Sequence, residues 1–261
     1  LIALRFLLAP VLVGIASLAA RRYGERVGGW IAALPFVAGP LLFIVAMDQG
    51  EVFAAQAATT AISGIVALAV FALVYSRTCR HLPWWGSLLV GWAAYMLSAA
   101  LLRPWNGPVW ARLVATLASL WICQRLLPGV VPDGSPTPPW KYDLPTRMMA
   151  AASLVATVAG LAHAMGPAWS GLLAPFPVAT TILVVFAHIQ KGPASVARLL
   201  RGFLPALSGL AIFFAVLSLS LQHGIVVGFC LALLAALAVQ GANLVLATRP
   251  WTRGSIPRRE G

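Results

Sequence analysis

The chain is short of charge, and shortest of all of acid. Of its 261 residues 9% are charged, and six Asp and Glu stand against 18 Lys and Arg. A soluble domain is about a quarter charged and about half apolar. Here 61% of residues are hydrophobic and the mean hydropathy is +0.90. That composition excludes a water-soluble globule and a disordered chain. Cysteine is scarce too: Cys79, Cys123 and Cys230 stand alone. With no C-x-x-C pair, the sequence indicates no zinc site, redox pair or disulfide framework, and the three read as small apolar fillers. It has no Walker loop, nucleophile elbow or H-E-x-x-H motif. We therefore expect no enzyme, no cofactor and no metal. No Asp, Glu or Lys falls in the middle of an apolar run, which argues against a retinal-type lysine site or a pump built on buried carboxylates.

What is there is long apolar runs. A helix crossing the hydrocarbon needs about 20 mostly apolar residues. Nine segments qualify: 3–20, 28–47, 53–75, 85–102, 108–127, 147–164, 168–188, 196–220 and 224–247. The first lacks a charged leader and runs into Arg21-Arg22, so it reads as a retained span rather than a signal peptide. Runs such as 65–74 do not alternate as barrel strands do. The expected fold is all-α, a polytopic membrane helix bundle of about nine transmembrane helices.

The net charge of +12 would in a soluble chain suggest a nucleic-acid partner. Here none is expected, because the cations sit singly or in pairs between apolar runs. With nine spans, 15 of the 18 fall on one side, leaving Arg5, Arg103 and Arg112 on the other. The positive-inside rule then puts the C-terminus in the cytoplasm and the N-terminus outside, in a bacterial inner membrane. Trp30, Trp84, Trp85, Trp105, Trp110, Trp140, Trp169 and Trp251 fall at span ends, where the headgroup layer favours indole rings.

Shifted by 142 positions, the chain partly superposes on itself. Gly29, Ala32, Pro35, Leu41, Gly50, Ala55, Leu68, Ala69 and Phe71 meet Gly171, Ala174, Pro177, Leu183, Gly192, Ala197, Leu210, Ala211 and Phe213. Spans 1–4 then correspond to spans 6–9, and the odd span between them makes the copies run oppositely (a 4+1+4 inverted repeat), the ground plan of many secondary transporters. The expected organisation is a first repeat over 1–102, a linking span over 103–127, a Pro-rich cytoplasmic linker over 128–146, a second repeat over 147–247 and a basic tail over 248–261.

The run Gly171-Leu-Leu-Ala-Pro-Phe-Pro-Val-Ala-Thr-Thr, with Gly192 and the span that follows, resembles the small four-span GlpM-type bacterial membrane proteins. The run from Gly28 to Pro40 resembles the same module more loosely. The resemblance implies a fused tandem of that module and a link to envelope polysaccharide production. Pro40 in the first copy and Thr180–Thr181 in the second depart from the shared pattern, which implies that the copies have diverged in role.

Candidate sites follow from residues that a lipid-embedded helix tolerates badly. Pro35, Gly39 and Pro40 interrupt span 2, and Pro175 and Pro177 occupy the equivalent part of span 7. Broken helices line the binding cavities of transporters, although a kink can also be purely structural. Gln56, Thr59, Thr60 and Ser63 recur at i, i+3, i+4 and i+7, one face of span 3. That stripe suits an aqueous vestibule or interhelical hydrogen bonds. Arg198 and Arg201 share a face of span 8 and, with Lys191, suit an anionic headgroup or a snorkelling role. Asp48 and Glu51 read as a solvated turn, His163, His188 and His223 as structural, and Gln240 with Asn243 as a cross-link or pore lining.

Together these readings suggest a secondary permease or flippase for a small or amphipathic molecule, anionic and envelope-related, working by alternating access. The alternative is a noncatalytic membrane subunit scaffolding an envelope-biosynthesis complex. The expected partners are membrane lipids and a small-molecule or lipid-like substrate, with a homo-oligomer or an envelope complex around the chain.

Overall fold

A computed structural model describes residues 2–36, 38–129, 142–165 and 177–248. The Pro-rich linker over 130–141, the tail from 249 onward, Pro175 and most of the 171–181 run lie outside the described residues. What is described is helix and turn: α1 (Ile2–Tyr23), α2 (Glu25–Ala32), α3 (Ala38–Gln49), α4 (Glu51–Thr78), α5 (Trp84–Leu102), α6 (Val109–Leu126), α7 (Asp143–Met165), α8 (Val178–Ser220), a single 3₁₀ turn (Leu221–His223) and α9 (Ile225–Thr248). Among the described residues four segments are both long and apolar enough to cross a bilayer: α4, α5, α8 with the 3₁₀ turn, and Ile225–Asn243 within α9; α3 is apolar but shorter.

The structure differs from the sequence expectation in two places. Segment 28–47 is not one helix, because α2 ends at Ala32 and α3 begins at Ala38. Buried Pro35 sits between them; it has no N–H to extend α2. Gly39 and Pro40 do not interrupt a helix. They lie in the first turn of α3, where backbone N–H groups lack intrahelical acceptors anyway and a proline costs little. The described part of segment 168–188 is likewise not separated from segment 196–220 by a loop. Residues 178–191 and 193–220 are two arms of α8 that meet at Gly192, whose φ of 74° and ψ of −174° break the helix at one residue. Only glycine adopts that conformation without strain. Pro193 then opens the second arm in the position where a proline's fixed φ helps.

The centre of the bundle is α4 against the second arm of α8. Both bury residues over their full length, including Ala54, Ala58, Ile62, Ala69 and Tyr75 on α4 and Leu200, Leu204, Leu207 and Phe213 on α8. They run antiparallel. The first residues of α4 share a cleft with Ser218 to Gln222, while at its other end the Tyr75 hydroxyl lies 3.3 Å from His188 Nδ1, shortly before the Gly192 break. α1 and α7 are antiparallel as well, since Gly14 faces Met148 and Arg21 bonds Asp143. α6 runs parallel to α4: Thr116 donates to the Ile62 carbonyl at 3.1 Å and Arg77 to that of Leu126 at 3.2 Å.

Lipid tails are as apolar as leucine, so helices in a bilayer associate through close packing of small residues and hydrogen bonds. The tightest crossing is α2 on α8. A Cβ on Gly29 would stand 2.0 Å from the Leu199 carbonyl oxygen, and one on Gly202 only 1.9 Å from that of Arg26. Leu89, Leu97 and Leu101 on α5, Trp121 on α6 and Leu234 and Leu237 on α9 point outward and are exposed, as a lipid-facing surface requires.

Gly202→Ala should lower the unfolding free energy in detergent by about 1–3 kcal/mol, because the new methyl meets backbone that cannot move aside. Gly241→Ala, whose methyl meets nothing, should stay within about 0.5 kcal/mol of the parent. Equal stability of the two variants would contradict the close crossing.

Candidate functional site

The bundle has two unlike ends. At the end where α1 finishes and α7 begins, polar side chains tie five segments together. Asp143 opens α7 and is 1% exposed. It accepts hydrogen bonds from Arg21 at the end of α1, from Arg147 one turn on (2.9 Å) and from Gln190 at the end of α8's first arm. Arg147 also donates to Gln190 Oε1 at 2.8 Å and stacks over the Phe186 ring at 5.0 Å. Lys191 pairs with Glu25 of α2 at 2.7 Å. Burial by itself would raise the Asp143 pKa, but the hydrogen bonds from Arg147, Gln190 and Arg21 outweigh it and hold the carboxyl below its ordinary value.

Arg201 joins this end by donating to the Pro128 carbonyl at 3.0 Å, and its Nε is buried without a partner. Arg198 lies three residues before it, half-buried. Thr180 and Thr181 are buried in the first turn of the first arm. Thr181 accepts a hydrogen bond from Trp92 at 3.1 Å, about half-way along α5. The first arm therefore starts buried in the bundle and becomes exposed toward Gly192, from Ile189 on. Pro177 caps its start.

The opposite end is open. A cleft of about 580 Å³ lies between the first turns of α4, the 103–108 turn and the close of α8, lined by Glu51, Gln56, Thr59, Thr60, Asn106, Gly107, Arg112 and Gln222 with apolar Val52, Ala55, Leu219 and Leu221 among them. Three members of the sequence stripe face it, and the fourth, Ser63, is buried at its floor. Thr59 and Thr60 donate their hydroxyl hydrogens to the carbonyls four residues back, at 2.9 and 3.0 Å, so what they offer the cleft is lone pairs.

Arg112, on α6, is 7% exposed. Its Nε donates to the Gly107 carbonyl at 2.9 Å, Nη1 to Ser63 Oγ at 2.9 Å and Nη2 to the Trp105 carbonyl, and its guanidinium lies 5.5 Å from the Trp105 ring centre. Among the described residues no carboxylate lies in ion-pair range of it. Ser63 is twelve residues into α4, about 18 Å along the axis. Arg112 itself stands in the first turn of α6, so its buried guanidinium lies against the 103–108 turn, level with Ser63 of α4.

The structure therefore separates the sequence candidates. Gln56, Thr59, Thr60 and Ser63 gather at the open end, while Arg198, Arg201, Pro177, Thr180 and Thr181 lie toward the closed end or deep in the bundle. Pro35 and Gly39 are buried and Pro40 is exposed, none of them lining the cleft. Gln240 and Asn243 prove to be a cross-link. They donate to the Ala206 and Pro205 carbonyls at 2.8 and 3.1 Å, in the stretch where Pro205 interrupts the α8 ladder. Sequence reasoning missed Arg112 and Asp143 as site residues. Arg112 carried a signal, as a cation set inside an apolar run on the sparsely charged side, but its partner Ser63 is 49 positions away. Among the described residues no group of three His, Cys, Asp or Glu side chains is placed to hold a metal.

Residues 2–103 match the model of a family described as "Protein of unknown function (DUF3147)". No curated protein and no solved structure matches the chain. The matched stretch is α1 to α5. The GlpM-type resemblance, by contrast, rests mainly on residues 171–181.

Asp143→Asn should destabilise the fold by about 3–5 kcal/mol, the usual consequence of removing one partner from a buried ion pair. Because the folded carboxyl titrates below its ordinary 3.8, the contribution is complete above that pH and fades only as pH falls through the lower folded value. Unfolding in detergent between pH 3 and 7 checks both. A variant matching the parent at neutral pH would refute the ion-pair role.

Proposed function

We propose that this chain is a secondary permease or flippase for a small or amphipathic anionic molecule of the cell envelope, built as an inverted repeat and working by alternating access. The observation that carries the reading is the pair Gly50 and Gly192. They are related by the 142-position shift, and they share a conformation (φ 89°, ψ 166° and φ 74°, ψ −174°) that only glycine adopts freely. Each is followed by a helix of the same length, since α4 shifted by 142 falls on 193–220, where α8 ends. The same shift carries α1 onto 144–165, one residue inside α7, and α5 onto 226–244, within α9. Corresponding helices lie antiparallel, α1 to α7 and α4 to the second arm, as an in-plane pseudo-twofold requires. α6 is left over as the linking span. The family match ends at Arg103, one residue past the first copy.

Nine crossings follow if α2 with α3 counts as one broken span and the first arm of α8 is the described half of another. Such half-helices at the repeat interface are where transporters place their substrates. The most charged end, holding Arg21, Arg147, Lys191 and Arg201, would face the cytoplasm, with the N-terminus outside. In this state the outer cleft is open. The inner end is closed by the Asp143 and Glu25 contacts and by α2 seated on Gly202. Alternating access would open the one and close the other as spans 1–4 rock against spans 6–9.

The test is flux in phosphatidylcholine proteoliposomes, with labelled inorganic phosphate for a soluble anion and fluorescent phosphatidylglycerol for lipid flipping. One probe should move faster than in empty vesicles. Gly192→Ala and Pro35→Ala with Pro177→Ala, checked for folding, should slow it at least tenfold. No movement of either probe by folded protein, together with stable co-purification of envelope enzymes, would replace this reading with the scaffold subunit.

A further inference from the structure

A buried charge needs an answering charge, and among the described residues Arg112 has none in ion-pair range. Desolvating an ion costs several kcal/mol even after relaxation. Ionisable groups buried in a membrane bundle pair with one another or mark a ligand pathway. The acceptors around this guanidinium are neutral: two backbone carbonyls and one hydroxyl. They engage three of its five N–H groups, leaving two donors and the full positive charge. Glu51, the one carboxylate on the cleft wall, stands twelve residues before Ser63. That is about 18 Å along the helix, beyond a Debye length of about 8 Å at physiological salt.

We propose that Arg112 is the ligand-binding residue of the open cleft and that it binds an oxyanion, phosphate or carboxylate, on a hydroxyl-bearing solute or lipid headgroup. This deepens the transport reading and rests on the cleft being its substrate pathway. The chemistry is divided along the cleft. At the floor, guanidinium N–H donors in a fixed planar fork match oxyanion geometry. Higher up, the lone pairs of Thr59 and Thr60 accept hydrogen bonds from hydroxyl groups next to the anion, and the Gln56, Asn106 and Gln222 amides serve either sense. Val52, Ala55, Leu219 and Leu221 give an apolar wall for the carbon skeleton. A volume of about 580 Å³ is within the range of small-molecule sites, about 300–1,000 Å³. The fork is also preorganised. By holding the carbonyls of Trp105 and Gly107, Arg112 fixes its own orientation before any ligand arrives, so little ordering remains to be done on binding.

The test uses the whole protein in nanodiscs at constant ionic strength. In phosphatidylcholine discs, inorganic phosphate and glycerol 3-phosphate are titrated against chloride. In a separate arm, phosphatidylglycerol replaces phosphatidylcholine with no free phosphate. Tryptophan fluorescence, to which Trp105 contributes beside the guanidinium, and the unfolding midpoint are read together. The parent should show a saturable response in one arm: free phosphates identify a solute, phosphatidylglycerol alone a lipid headgroup. Arg112→Gln should weaken it at least tenfold, with Arg112→Lys between the two. Arg112→Gln also removes two hydrogen bonds to the 103–108 turn, so Thr60→Asp supplies an independent variant: it adds a negative charge at an exposed wall position, leaves every Arg112 contact intact, and should also weaken binding about tenfold. No saturable response in either arm, or equal binding by Thr60→Asp and the parent, overturns the proposal. Saturable binding that depends on Arg112 but comes with no flux would sink the transport reading and leave this site standing. Flux unchanged by Arg112→Gln would do the reverse.

Discussion

The structure depends on one constraint: where there is no water, a backbone break must be settled by the protein itself. Each interruption in this bundle meets that demand locally. At Gly50 and Gly192 the chain reverses at a single residue, so few amide groups lose their partners. At Pro35 the gap is short, and the Gly39 amide reaches back to the carbonyl of buried Pro35 at 2.8 Å. In α8, side-chain amides from α9 bond the carbonyls of Pro205 and Ala206 beside the proline and tie the two helices together. The two long central helices pack along their full length, and the shorter helices arrange themselves around that pair.

The bundle's two ends use polarity differently. One is a dense network in which carboxylates and cations are close to matched, Asp143 to Arg21 and Arg147, and Glu25 to Lys191. It orders the end of α1, the starts of α2 and α7 and the end of α8's first arm relative to one another. The other end has a single buried cation, neutral hydrogen-bonding walls and space. A clasp and a cleft at opposite ends of an antiparallel pair are what a one-side-open state of an alternating device would look like. Their separation also explains why the sequence stripe on α4 and the arginines on α8, equivalent under the 142-position shift, have such different surroundings.

Much of this was legible in the sequence, for definable reasons. Most helix positions followed from apolar run length, since the requirement to cross lipid is crude and strong: segments 85–102 and 224–247 fall within about a residue of α5 and α9. The polar stripe from Gln56 to Ser63 was legible because helical spacing alone puts it on one face. Two things were not. The length of a break is set by local torsion, and a run of apolar residues does not reveal that Gly192 turns the chain without a loop while Pro35 needs several residues. Pairings between distant residues are also invisible to periodicity. Nothing in the spacing of Ser63, Trp105 and Arg112, or of Arg21, Asp143 and Gln190, says that they meet. Histidines read as structural gave no hint that His188 would lie against Tyr75.

Arg112 carries one more consequence. Its guanidinium is buried in the first turn of α6, with no carboxylate in ion-pair range among the described residues, so a membrane that this bundle crosses would hold it toward one edge of the transmembrane field. Moving one elementary charge through the whole of that field changes the energy by about 2.3 kcal/mol for each 100 mV. A rearrangement that shifts Arg112 through part of that thickness is therefore biased by voltage, and an anion that neutralises the charge removes the bias.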